Sequence, residues 1–171
     1  MASTIRELKL AGFATWTTAE RSENYEKVYQ QNRHRVYALA FWMTDNEMSA
    51  EELMGNVFRR AFALHPDPSE EAVDRALIAE IREIAPLGSL TLASPAATEV
   101  VGVRRNTLRV HLERAVVQVP PTERIIFLLH DVEGYEHSRI ARMLGINERE
   151  SEFGLHQARL RIRQLVSEMQ N

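Results

Sequence analysis

The chain has 171 residues, 44% of them hydrophobic and 26% charged, with a formal charge of −3, which describes one ordinary globular domain or two small helical ones and argues against indiscriminate polyanion binding. It contains no cysteine, which excludes disulfides, thiolate metal sites and cysteine nucleophiles and fits a reducing compartment. No apolar run approaches the roughly 20 residues of a membrane helix, and the first residues lack the apolar centre of a signal peptide, so no membrane contact and a cytoplasmic location are expected.

Residues 1–22 read as an N-terminal extension. From about Asn24 to Met43, Tyr25, Val28, Tyr29, Val36, Leu39, Ala40 and Met43 recur at three- and four-residue steps. That period predicts an amphipathic helix with Lys27, Gln30, Gln31, Arg33 and Arg35 on its polar side. Thr44, Asp45 and Asn46 interrupt it. A second helix is predicted from about Ser49 to Leu64, capped by Asn46 or Ser49, with Glu51 and Glu52 favourable in its first turn. The run His65-Pro66-Asp67-Pro68 stops it. A third helix starts near Ser69, buries Val73, Ala76, Leu77, Ile81 and Ile84, and ends before Pro86. These three helices form one predicted unit, residues 23–85. Residues 86–98 read as a linker.

The second unit is predicted over 99–171. It holds a helix through Leu108, Leu112, Val116 and Val119, then Pro120-Pro121, then a helix through Ile125, Ile126, Leu128 and Leu129. The stretch Gly134–Val166 follows with a short helix at His137–Leu144, a turn at Gly145 and a longer helix. Gly145 supplies the left-handed residue that ends a helix. Asn147 and Glu150 have the spacing of a capping box. Leu155, Ala158, Ile162 and Leu165 give the longer helix its inner stripe. A short helix, a glycine turn and a longer helix place the second helix in the DNA major groove. The fold expected is all-α throughout.

The stretch Val116–Ile146, together with Leu155-His156 and Ala158-Arg159, resembles region 4 of the sigma-70 factors of the extracytoplasmic-function group (group IV). The resemblance rests on the proline before the second helix, on Arg124, on the Leu-Leu-x-Asp run and on the Ile140-Ala141…Leu144-Gly145-Ile146 core. Residues 24–65 are similar to region 2 of the same factors. The resemblance implies a transcription initiation factor, not an enzyme, with core RNA polymerase and promoter DNA as partners and an anti-sigma factor as a further one. It implies no cofactor. Polymerase contacts would fall on Glu51, Glu52, Asn56, Arg59 and Arg60, and DNA contacts on Arg149, His156, Gln157, Arg159 and Arg163.

The chain departs from that pattern in three places. The recognition helix opens with Glu148, Glu150 and Glu152, which suit a helix N-terminus but weaken phosphate binding. Its outward stripe, Arg149, Phe153, His156, Leu160 and Arg163, includes two large apolar residues. The third helix, where the family carries the aromatic and basic residues that melt the promoter, has no aromatic and only Arg75 and Arg82 as bases, although stacking on unpaired bases needs aromatics. These departures support an alternative, a sigma mimic that binds an anti-sigma factor or polymerase without directing initiation.

Residues 94–112 form a second candidate turn motif. Gly102 would make the turn, and Arg104, Arg105, Asn106, Thr107 and Arg109 would read bases and phosphates, with Leu108 and Leu112 inside. The alternative is that residues 105–118 are simply the first helix of the second unit. The six histidines show no H-E-x-x-H or paired spacing, and no phosphate-cradling glycine loop or G-x-S-x-G occurs. His130, Asp131 and Glu133 read as a surface corner rather than a metal site. An enzyme is not expected.

Overall fold

The computed structural model describes residues 18–64, 67–92 and 107–170. Seven α-helices and no strand occur among them: α1 Thr18–Thr44, α2 Glu47–Leu64, α3 Glu70–Ile84, α4 Arg109–Val117, α5 Pro121–Phe127, α6 His137–Leu144 and α7 Glu148–Gln170. A π-helical turn, Leu128–Val132, continues α5. Residues Arg104, Arg105 and Asn106, the turn expected at Gly102 and the N-terminal extension up to Thr17 lie outside the described residues.

The helix ends follow local chemistry. Asn46 caps α2, its Oδ1 accepting the N–H of Ser49 at 2.9 Å. Asp45 takes a positive φ of 52° to turn the chain between α1 and α2. Ser69 caps α3 by accepting the N–H of Ala72. Pro121 starts α5 at a position where a missing N–H costs nothing.

α1, α2 and α3 bury Val36, Leu39, Ala40, Val57, Phe58, Val73, Leu77 and Ile81 against one another. Around this core Tyr25 stacks on Phe62, with ring centroids 4.7 Å apart. α7 forms the floor of the second half, and α4, α5 and α6 pack on it. There Ala115, Val119, Ile125, Ile126, Leu129, Ile140, Leu144, Leu155 and Ala158 are buried.

Several expected core positions lie elsewhere. Leu108 and Leu112 are exposed, because only the C-terminal end of α4, at Ala115 and Val116, is buried. Ile84, in the last turn of α3, is also exposed. Conversely, Arg35 is not on a solvated face. Its side chain is 14% exposed and ion-paired to the buried Asp74 at 2.6 Å.

The halves meet where α1 touches α4 and α5 and where α3 touches α6. Asp74 is the polar centre of that seam. It is 2% exposed and bonded to Arg35, to Arg139 of α6 and to the hydroxyl of Tyr135. Burial raises the Tyr135 hydroxyl above its ordinary pKa, with Arg35 opposing, so the phenol stays protonated and can donate. Arg82 donates to the carbonyl of Leu144 at 2.9 Å on the same seam. Residues Leu87–Leu92 then run across the second half. The N–H groups of Thr91 and Leu92 donate to Oε1 of the fully buried Glu123 at 2.6 and 2.7 Å.

Candidate nucleic-acid interface

The α6–α7 unit is built by residues whose roles are local. Gly145 ends α6 in the left-handed conformation at φ 72°, and its N–H returns to the carbonyl of Ala141. Two bonds then start α7. The N–H of Glu150 donates to Asn147 Oδ1 at 2.9 Å, and the N–H of Asn147 donates to Glu150 Oε2 at 2.8 Å. This is the reciprocal capping box expected from the spacing. Leu155, Ala158, Ile162 and Leu165 face inward, as their periodicity requires.

Contacts between α6, α7 and the π-helical turn set the angle of the unit. His137 Nδ1 and the buried hydroxyl of Ser151 share a hydrogen bond at 2.9 Å, which pins the start of α6 to α7. The His130 ring stacks on that of His137, with centroids 4.5 Å apart. Gly154 lets α5 and the linker approach α7. A Cβ there would lie 2.7 Å from Ile126 Cδ1 and 2.8 Å from Leu90 Cδ2. A lone glycine within a helical pattern was the only sequence sign of this approach.

The outward face of α7 is charged and partly apolar. Arg149, His156 and Arg163 are exposed, Phe153 is 40% exposed, and Leu160 is half-buried. Glu148, Glu150 and Glu152 are exposed at its start. Arg159 is exposed as well, but it is bound to Asp131 through two bonds of 2.9 and 2.6 Å. The Arg159 guanidinium holds the Asp131 carboxyl below its ordinary pKa, against the opposing effect of burial, so the pair is charged at neutral pH. Gln157 is only 3% exposed. It points into the second half, one position away from His156, and offers a base edge nothing in this packing.

The upstream candidates separate. Thr107 precedes α4, with its hydroxyl accepting from Gln170 at 3.2 Å. Arg109 lies in the first turn of α4 and pairs with Glu113 at 2.5 Å. On α2, Glu51, Glu52 and Arg59 are exposed, and Asn56 accepts from Arg59 at 2.9 Å. Arg60 instead turns to α3, where it pairs with Glu80 at 2.5 Å. Met48, 82% exposed, extends this α2 surface.

No group of three or more histidines or carboxylates among the described residues could hold a metal ion. No helix among them is long and apolar enough to cross a membrane. Residues 109–162 match the family described as Sigma-70, region 4. No curated protein matches the chain. The matched stretch runs from the start of α4 well into α7, so it holds both helices of the turn motif and the elements that orient them. Over residues 109–162 the chain is thus similar to region 4 of the sigma-70 family.

Proposed function

We propose that this protein is a sigma-70-like initiation factor of the extracytoplasmic-function kind, which joins core RNA polymerase through α2 and promoter DNA through α7. One observation carries the reading. The capped α6–Gly145–α7 unit leaves Arg149, His156 and Arg163 on one exposed stripe, at the spacing that lets a recognition helix meet base edges and phosphates. Arg159 joins them when DNA phosphate replaces Asp131 as its partner. Glu51, Glu52, Asn56 and Arg59 form the proposed polymerase surface. Arg104, Arg105 and Asn106, which precede α4 in the sequence, are proposed as further phosphate contacts.

The acidic start of α7 favours a second reading, a sigma mimic that binds an anti-sigma factor or polymerase without directing initiation. A groove of about 400 Å³ between α1 and α4 also suits a partner helix. Tyr37, Phe41, Trp42, Val110 and Val117 line it. In vitro transcription with core polymerase and selected promoter fragments separates the two. Core-dependent initiation that is lost on Arg149→Glu/Arg163→Glu supports the initiation factor. Core binding without initiation, together with no salt-sensitive DNA binding, supports the mimic.

A further inference from the structure

Glu123 is fully buried in the second half, and no cation is paired with it among the described residues. A buried carboxylate is costly unless other donors replace the water around it. Here those donors come from one stretch of the linker. The N–H groups of Thr91 and Leu92 donate to Glu123 Oε1 at 2.6 and 2.7 Å, and the Thr91 hydroxyl lies 3.4 Å from both carboxylate oxygens. Beside it the hydroxyl of Thr122, a residue 2% exposed, accepts the N–H of Gly88 at 3.2 Å. Gly88 takes a φ of 104°, which favours glycine. Gly154 leaves the space that Leu90 fills, because a Cβ there would lie 2.8 Å from Leu90 Cδ2. The second half thus grips a peptide in two ways. Two buried side chains hold its backbone, and a notch at Gly154 takes a leucine. Main-chain bonds that hold any sequence, joined to a pocket that selects one side chain, are the parts of a peptide-recognition site.

We propose that Thr122, Glu123 and Gly154 form a binding site for a non-helical, leucine-bearing peptide segment of another protein, and that Leu87–Leu92 is its tethered occupant. The ligand is defined by the chemistry of the site. It needs a glycine whose N–H meets Thr122, a leucine two residues on, and two successive N–H groups after that leucine for Glu123. Proline at either of the last two positions removes a donor. The tether keeps Leu87–Leu92 at an effective concentration in the millimolar range. A second copy of this chain offers the same peptide at no better affinity, so it does not displace the resident one. A segment of another protein can, because the resident fit is incomplete. Leu87, Leu90 and Leu92 are each only half-buried, and Ser89 and Thr91 are exposed. The proposal does not rest on the DNA-binding reading and stands if that reading fails.

The test uses the full chain and a fluorescein-labelled, end-blocked peptide with the sequence of Leu87–Leu92, its binding read by anisotropy. Thr91→Pro/Leu92→Pro in the chain removes both resident donors and leaves the site intact. Circular dichroism checks each fold. The emptied variant should bind the peptide at least about tenfold more tightly than the wild type, whose tethered segment competes. Adding Glu123→Gln to that variant should weaken binding about tenfold, since bonds to a charged acceptor are the stronger ones. A peptide that itself carries Thr91→Pro and Leu92→Pro should not bind. A second measurement needs no variant. Millimolar peptide should speed hydrogen exchange of the amides of residues 87–92 in the wild type, as the resident segment is displaced. A folded emptied variant that binds no better than the wild type, or binding indifferent to Glu123→Gln, overturns the proposal and leaves Leu87–Leu92 as fixed packing. If the emptied variant does not fold, unchanged exchange in the wild type overturns it equally. A wild-type dimer that the peptide splits would give the site to a second copy and overturn its assignment to another protein.

Discussion

Arg124 Nη1 lies 3.2 Å from the carbonyl oxygen of Trp42, so a side chain of the second half closes the last turn of α1. The same guanidinium donates to the carbonyls of Met43, Val119 and Val117. It therefore satisfies helix-end acceptors of both α1 and α4, which have no partner within their own helices. Arg124→Ala should destabilise the protein by about 2–3 kcal/mol, since several charge-assisted bonds are lost and buried carbonyls are left bare. Arg124→Lys should recover less than half, because an ammonium cannot span four acceptors in a plane. Urea unfolding of both variants measures this.

Gly154 marks the place where the linker crosses α7. Gly154→Ala should be close to neutral. Its gain of about 1 kcal/mol in helix propensity is offset by displacing the ends of Ile126 and Leu90, which are flexible side chains. Gly154→Val cannot be absorbed this way and should cost about 1–3 kcal/mol. It should also release residues 87–92, seen as faster proteolysis within that stretch. Equal proteolysis rates for Gly154→Val and wild type would disprove this account of the linker.

The Asp131–Arg159 pair makes a pH prediction. The carboxyl's folded pKa lies below its unfolded one, so the pair stabilises the protein above the unfolded value, about 3.9. That contribution is lost as the pH falls through the folded value. Asp131→Asn should lower Tm by about 1–3 °C at pH 7, and the difference should close at strongly acid pH. A gap that persists in acid would assign the effect to packing rather than charge.

Glu133 has the opposite sign. Burial raises its pKa, with Arg35 opposing that effect and Asp74 adding to it. The folded state therefore binds the proton more tightly than the unfolded state, and ionised Glu133 weakens the fold at neutral pH. Glu133→Gln should raise Tm at pH 7, with the advantage shrinking as the pH falls towards and below the carboxyl's folded value. Thermal unfolding at several pH values gives the comparison.

The capping box can be tested without touching the proposed DNA face. Asn147→Ala removes the acceptor for the Glu150 N–H and should cost about 1 kcal/mol. Hydrogen exchange should quicken in the first turn of α7 more than at Ile162. Uniform acceleration along α7 would indicate global destabilisation instead.

Much of this protein was legible in its sequence, because much of it depends on residues close together in the chain. The all-α class, the ends of α2, α3 and α6, and the Gly145 turn follow from periodicity and capping. So do the Asn147–Glu150 box and the inner stripe of α7. The same local rules failed where neighbours from afar decide. Gln157 lies beside His156 in sequence yet is buried, and periodicity alone does not say how wide the covered sector of α7 is. Leu108 and Leu112 match an inner stripe but are exposed. Arg35 reads as part of a polar face, Arg60 as a polymerase contact and Arg159 as a DNA contact, whereas Asp74, Glu80 and Asp131 claim them across separations of 20 to 39 residues. Charge pairing over such distances leaves no period to read. Only the packing of α3 and the π-helical turn against the helix-turn-helix determines which of its arginines are paired.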